Sequence, residues 1–247
     1  MKNILITSGG TSEPIDEIRA ITNKSTGRLG CAIANEFSSR DDVDRIFYVH
    51  GKGAALPEDS RIILRQAKST QDVLDAMTDI LKNEKIDIII HSMAISDYTT
   101  ASFLTLEDML SLVAYGESET VTEVAELMEK EDLRKKYTKL PSSIENPVLL
   151  LKRTPKVLSK LRGLAPDAAI VGFKLLDHVP HEELMSVAEA QIKKNDTDFC
   201  LANDYATVVS PVHVGYLLGK DGKETEFRGK EAIAKGIVSV LMECERN

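Results

Sequence analysis

The chain has 247 residues, 43% of them apolar and 28% charged, with a formal net charge of -8. That length and balance suit one large α/β domain, or one domain carrying an insertion, around an ordinary hydrophobic core. The acidic balance excludes nucleic-acid binding over a broad face, yet it leaves room for a nucleotide held by backbone N–H groups and one or two lysines.

No segment approaches the roughly 20 apolar residues of a membrane span, and the run Ile4 to Ile6 is too short for a secretory core, so no membrane partner is expected. Cys31, Cys200 and Cys244 have no paired spacing and no neighbouring histidines, which fits a reducing cytoplasm rather than a disulfide framework or zinc site.

In chain order, Asn3 to Thr7 predicts a buried strand that opens into the turn Ser8-Gly9-Gly10-Thr11. Ser25 or Thr26 can cap a helix from about Gly27 toward Ser38, with Leu29, Ile33, Ala34 and Phe37 on one face. Arg45 to Val49 reads as a second strand. Ser69 or Thr70 caps a helix carrying Val73, Leu74, Met77, Ile80 and Leu81, and Ile86 to Ile90 reads as a third strand. Strands that are continuously apolar, alternating with helices, predict a parallel sheet covered on both faces: a doubly wound, Rossmann-like α/β fold.

Between Asp97 and Lys139 this pattern stops for about forty residues, longer than an ordinary loop. Val121, Val124, Ala125 and Met128 suggest a helix there, followed by the charged run Glu129 to Lys136, read as a solvated face. The segment is expected to be a helical insertion at about 99–138 within a single domain spanning 1–247. The pattern then resumes. Thr154-Pro155 starts a helix to about Leu161, Ala168 to Phe173 is a strand, and Leu184, Val187, Ala188 and Ile192 stripe a helix ahead of a strand at Phe199 to Ala202. Val214 to Leu218 and Glu224 to Phe227 flank an Asp-Gly turn as a hairpin, and Ile233, Ile237, Val240, Leu241 and Cys244 mark a closing helix.

Ligands of open α/β sheets sit beyond the carboxyl ends of the strands. Three such ends are polar here: Ser8 to Thr11, Ser96 to Tyr98, and Asn203-Asp204. Gly9 and Gly10 permit turns closed to other residues, and Gly27 and Gly30 sit at a helix start, where unbonded N–H groups attract phosphate. The same glycines would also serve tight turns and close packing alone. Asp97 is either a ligand for Mg²⁺ or substrate, or a turn aspartate. Lys139 lies in a loop, and Arg19 and Asn23 lie in the polar loop after the first strand. The five histidines have no metal-ligand spacing, and no Gly-x-Ser-x-Gly elbow is present.

Ile4 to Gly30, with its Gly-Gly-Thr, Glu-Pro, Arg19 and Asn-x-Ser-x-Gly-x-x-Gly, closely resembles the opening of the phosphopantothenate–cysteine ligases. Further matches follow in that family's order: Ala-Ile-Ser-Asp-Tyr at 94–98, Lys139-Leu140, Val-Gly-Phe-Lys at 171–174 and Ala-Asn-Asp at 202–204. The resemblance implies that Asn23 binds the activated acyl intermediate and that Lys139 rides a flap closing over it. It places Ser25, Gly27 and Gly30 at the nucleotide phosphates, with Gly9, Gly10, Phe173, Lys174 and Asn203 around the nucleotide. Arg19, Ala94 and Asp97 fall on the substrate side, the last two reached across a homodimer.

The implied reaction consumes CTP, or alternatively ATP, with Mg²⁺, and joins 4′-phosphopantothenate to L-cysteine. The residues that hold the metal are not assigned. Many bacterial relatives are fused behind a flavin-dependent decarboxylase, and because this chain starts at the ligase strand no flavin is expected. Thr-Pro-Lys-Val at 154–157 replaces an Asn-Pro-Asp-Ile-like motif, which brings the chain nearer the stand-alone branch, and Met93 replaces a small residue. Two alternatives differ in class. One is a nicotinamide-dependent reductase, for which Tyr48/Lys52 and Tyr216/Lys220 supply the Tyr-x-x-x-Lys spacing, and the other is a non-catalytic nucleotide-binding protein.

Overall fold

A strand buried on both faces must satisfy its backbone sideways, and Lys2–Ser8 (β1) does so with a parallel neighbour on each side. The computed structural model describes residues 1–115, 120–210 and 212–243; Cys244, expected in the closing helix, lies outside them. After β1 come β2 (Ser12–Pro14), β3 (Ala20–Thr22), α1 (Arg28–Ser38), β4 (Val43–His50), β5 (Ile62–Gln66), α2 (Thr70–Asn83) and β6 (Ile88–His91). Then follow β7 (Tyr98–Thr105), α3 (Leu106–Tyr115), α4 (Val121–Lys130), a 3-10 turn (Leu133–Lys135), β8 (Pro147–Arg153), α5 (Leu158–Leu164) and β9 (Ala169–Leu176). The chain continues through α6 (His181–Asn195), β10 (Phe199–Asp204), α7 (Tyr205–Val208), β11 (Val214–Gly219), β12 (Glu224–Arg228) and α8 (Lys230–Glu243).

The chain divides into two compact units: Met1–Thr11, Lys24–Ile95 and Lys156–Asn247 form the first, and Ser12–Asn23 with Ser96–Pro155 form the second. The first is a doubly wound sheet in the order β12-β11-β10-β9-β6-β1-β4-β5, parallel from β5 to β10 and closed by the antiparallel hairpin β11–β12. Side-chain alternation sends Ile4, Ile6, Ile88, Ile90 and Val171 toward α1 and α8. Leu5, Ile89 and Ile170 face α2 and α5, and Cys200 and Ala202 meet α6. Ile4, Leu5 and Ile6 are fully buried, and each contributes about 2 kcal/mol of burial. Ser69 caps α2 in a reciprocal box with Asp72.

The second unit pairs β2 with β3 and β7 with β8, both antiparallel, alongside α3 and α4. The buried Asp132 carboxylate accepts the Phe103 N–H at 3.0 Å and the Arg134 guanidinium, which in turn donates to the Thr100 and Ala101 carbonyls of β7.

Four expectations are corrected. The segment read as a helical insertion at about 99–138 is wider and opens with a strand, β7, whose partner β8 lies beyond residue 138. No helix starts at Thr154-Pro155, because the Thr154 hydroxyl and N–H are held by the Ser96 and Asp97 carbonyls at 2.5 and 3.1 Å, and α5 begins only at Leu158. Neither Ser25 nor Thr26 caps α1: the N-cap is Gly27, left-handed at φ 68°. Finally, β5 was unforeseen. It is the sheet's edge strand, a three-residue apolar run of which Ile62 is buried while Ile63 and Leu64 are exposed, followed by the polar Arg65 and Gln66.

Candidate active site

The order of the sheet reverses between β1 and β6, which is where an open α/β sheet forms its ligand crevice. Beyond Ser8, Ala94 N–H donates to the Gly9 carbonyl at 2.8 Å and Thr11 N–H to the Ala94 carbonyl at 3.1 Å, so Gly9, Gly10 and Ala94 lie together at the tip. The Ser8 hydroxyl reaches the Gly27 carbonyl at 3.0 Å and ties the strand end to the start of α1. At Gly30 an added Cβ would lie 2.4 Å from Ser8 Oγ, so the first turn of α1 packs directly on the strand tip.

No side chain caps α1, and no acidic residue occupies its first turn. Its leading N–H groups have no intrahelical partner, and the helix dipole adds partial positive charge. The result is an electropositive helix end at the switch point, of the kind that attracts phosphate. Ser25 is exposed just ahead of it, and Thr26 is fixed by the Ala55 N–H at 2.9 Å.

Next to β6, β9 carries the half-buried Phe173 and Lys174, whose β10 partners are Leu201 and Ala202. Asn203, one residue on, is buried, and its Oδ1 lies 2.8 Å from His213 Nε2. That oxygen can only accept, so the His213 proton is on Nε2. Burial, with the Lys230 charge adding to it, lowers the His213 pKa. Sequence reasoning passed over His213, because its fit to Asn203 depends on β11 folding back beside β10. Asp204 at the end of β10 is a helix cap: its carboxylate accepts from Ala206, His178 and Val179 N–H groups, which hold its pKa low.

Beneath the crevice, Thr7 Oγ1 accepts from the Met93 N–H at 3.3 Å and sits 2.9 Å from His91 Nδ1. Thr7 Oγ1 and His91 Nδ1 share one hydrogen bond, in which the ring tautomer decides which of the two donates. Burial pushes the His91 pKa down to about 4 from 6.5. Because the folded pKa lies below the unfolded one, the unfolded chain binds more protons between about pH 4 and 6.5, and stability falls as pH drops through that window. The loss should approach about 3 kcal/mol. Urea midpoints at pH 7 and 4.5 are expected to diverge less in His91→Gln than in wild type; equal divergence would reject the assignment.

In the second unit, Asn23 follows β3 and is half-buried, and Asp97 is exposed at the start of β7 with its carbonyl on the Thr154 N–H. Lys139 is exposed in the turn before β8. Arg19 pairs with Asp16 at 2.6 Å and donates to the Leu140 carbonyl at 3.0 Å, so the structure brings the turn at Arg19 and the turn at Lys139 together. Among the described residues no three His, Cys, Asp or Glu side chains gather as a metal site, and no helix is long and apolar enough to cross a membrane.

The Tyr-x-x-x-Lys pairs do not form a reductase dyad. Tyr48 is fully buried in β4 with its hydroxyl on the Ala55 carbonyl at 3.0 Å, and Lys220 is paired with Asp196 at 2.7 Å.

The model of the DNA/pantothenate metabolism flavoprotein C-terminal domain matches residues 1–106. The solved structure of the DNA/pantothenate metabolism flavoprotein from Streptococcus pneumoniae superimposes with a TM-score of 0.84 and 32% identity, over 98% of this chain and 99% of that one. The chain belongs to this family. Within it, the coenzyme A biosynthesis bifunctional protein CoaBC of Methanocaldococcus jannaschii is 32% identical over 202 residues, 81% of this chain and 40% of that protein. The CoaBC of Thermococcus kodakarensis is 28% identical over 220 residues, 89% and 45% respectively. The chain thus spans less than half the length of these curated family members. The fold, at 17% identity and a TM-score of 0.68, is also that of a Cab2 mutant solved in complex with phosphopantothenate-cysteine.

Proposed function

We propose that the chain is a phosphopantothenate–cysteine ligase of coenzyme A biosynthesis. The observation that carries this reading is the uncapped α1 N-terminus, entered through left-handed Gly27 and seated on the tip of β1, in a member of this family. Phosphate oxygens of a nucleoside triphosphate bind there, between Ser25, Gly27 and Gly30, while Gly9, Gly10, Phe173, Lys174 and Asn203 surround the rest of the nucleotide. Arg19, Ala94 and Asp97 take the pantothenate side, within a homodimer.

A carboxylate is a poor acyl donor, so it is activated first. Its oxygen attacks the α-phosphorus, the bond to the β-phosphate oxygen breaks, and pyrophosphate leaves. The cysteine amine then attacks the acyl carbon, loses a proton and expels the nucleoside monophosphate. Asn23 donates to the acyl oxygen, where negative charge develops in this second step, and the Lys139 ammonium offsets charge on the acyl phosphate. Mg²⁺ would accompany the nucleotide and offset the negative charge of its phosphate groups. No flavin takes part, and the reaction is placed in the cytoplasm.

CTP is the preferred nucleotide in this reading and ATP the alternative. Pyrophosphate release with 4′-phosphopantothenate, cysteine and Mg²⁺ is expected to be at least tenfold faster with CTP than with ATP, and to need phosphopantothenate. Faster release with ATP would reverse the nucleotide assignment, and no release with either, from folded protein, would remove the ligase reading.

A further inference from the structure

Asp16 lies in the turn between β2 and β3, and its side chain is 1% exposed. A carboxylate is buried at such cost only where donors surround it. One oxygen accepts the Ile18 and Arg19 N–H groups at 2.9 and 2.7 Å. The other accepts Arg19 Nε and Nη2 at 3.0 and 2.6 Å, and the N–H of Leu140, distant in sequence, at 3.1 Å. Arg19 Nη2 returns to the Leu140 carbonyl at 3.0 Å, and the Glu17 N–H donates to the Thr138 carbonyl at 3.2 Å. Both neighbours of Lys139 are therefore tied to one five-residue turn, while Lys139 itself is exposed. Leu140 adds a buried apolar anchor.

We propose that Asp16 is a positioning residue for Lys139: with Arg19 it clamps the backbone on either side of the lysine, so that the ammonium projects from a fixed base. The assignment rests on the role given to Lys139 above. Arg19 itself is then first a part of the clamp, and only its remaining edge faces a substrate. The Arg19 guanidinium and three backbone N–H groups hold the Asp16 carboxyl well below the usual carboxylate range, so the clamp stays charged at every pH where the protein works.

Asp16→Asn keeps the shape but replaces one acceptor with a donor that opposes Leu140 N–H or Arg19. Amide exchange in peptides covering 137–142 should accelerate at least tenfold, with β1 and α1 unchanged. The same variant should lose about tenfold in kcat at unchanged KM for the nucleotide, and Asp16→Glu, which retains the charge, should recover part of both effects. Because Asp16 acts through Lys139, the kcat of Asp16→Asn combined with Lys139→Ala, read at saturating phosphopantothenate so that any loosening of Arg19 falls on KM, should be no lower than that of Lys139→Ala alone. Wild-type exchange in Asp16→Asn, or losses that multiply in the double variant, would overturn the proposal. The exchange measurement needs no substrate, so a failure of the ligase reading would appear separately, as absent pyrophosphate release in wild type.

Discussion

Gly51→Ala is expected to lower stability by about 2 kcal/mol, the range of an overpacked core, and to cut nucleotide-dependent turnover at least tenfold. Gly51 follows β4, and its N–H donates to the Ser8 carbonyl at 3.0 Å. An alanine Cβ there would lie 2.2 Å from the Gly10 carbonyl oxygen and 3.1 Å from the Gly10 nitrogen. Those are backbone atoms, which cannot swing aside as the end of a long side chain does. The relief available is to push the Gly9-Gly10 turn outward or to break the Ser8 bond, and either one moves the tip on which α1 rests. The comparison is Gly163→Ala in α5, where an added Cβ meets nothing within 4 Å. A helical glycine in open space should tolerate alanine or gain up to about 1 kcal/mol. Thermal melts and pyrophosphate assays of the two variants decide the matter. Wild-type behaviour of Gly51→Ala would show that the turn is not a tight constraint.

The larger kinetic effect is expected at Asn23. Asn23→Ala should still release pyrophosphate in a first turnover, because in the proposed reaction activation precedes the step assigned to its amide. Transfer to cysteine should then slow by about 10²–10³-fold, the usual loss when one oxyanion donor is removed. The visible signature is a burst of pyrophosphate with the acyl nucleotide accumulating, recoverable after a quench and readable by mass spectrometry. A folded Asn23→Ala protein that released no pyrophosphate would place the residue before activation and reverse its assigned role.

The parts of the fold that could be read from the sequence are those whose cause is local. Ile4 to Ile6 and Ile88 to Ile90 are apolar at every position because both sheet faces are covered. Ser69 with Asp72 announces a helix start within four residues. β7 and β8 were not readable in this way: each finds its partner across α3 and α4, and neither alternates cleanly.

The candidate site divides along the same line. Gly27 and Gly30 stood out as glycines at a helix start, although the expected serine or threonine cap proved to be glycine itself. Gly51 did not stand out, since its constraint comes from the Gly10 carbonyl in the turn after β1, distant in sequence. Nor does anything local in the sequence single out Asp16. Only the convergence of five N–H groups on its carboxylate distinguishes it, and one of those comes from Leu140.

The two-segment construction of the second unit also sets the timing of its assembly. Asp16 emerges early in synthesis, but its bond partner Leu140 is 124 residues further along the chain. At ribosomal speeds of about 5–20 residues per second, the charged turn waits on the order of ten seconds before its clamp can close. Meanwhile much of the first unit's parallel sheet, from β1 to β6, has already been made. A loop of that length is slow to close, and what shortens the search is β1 and β6 pairing first and drawing the two segments' starting points together. Refolding should therefore be biphasic, with the protection of Leu140 lagging behind that of Ile6.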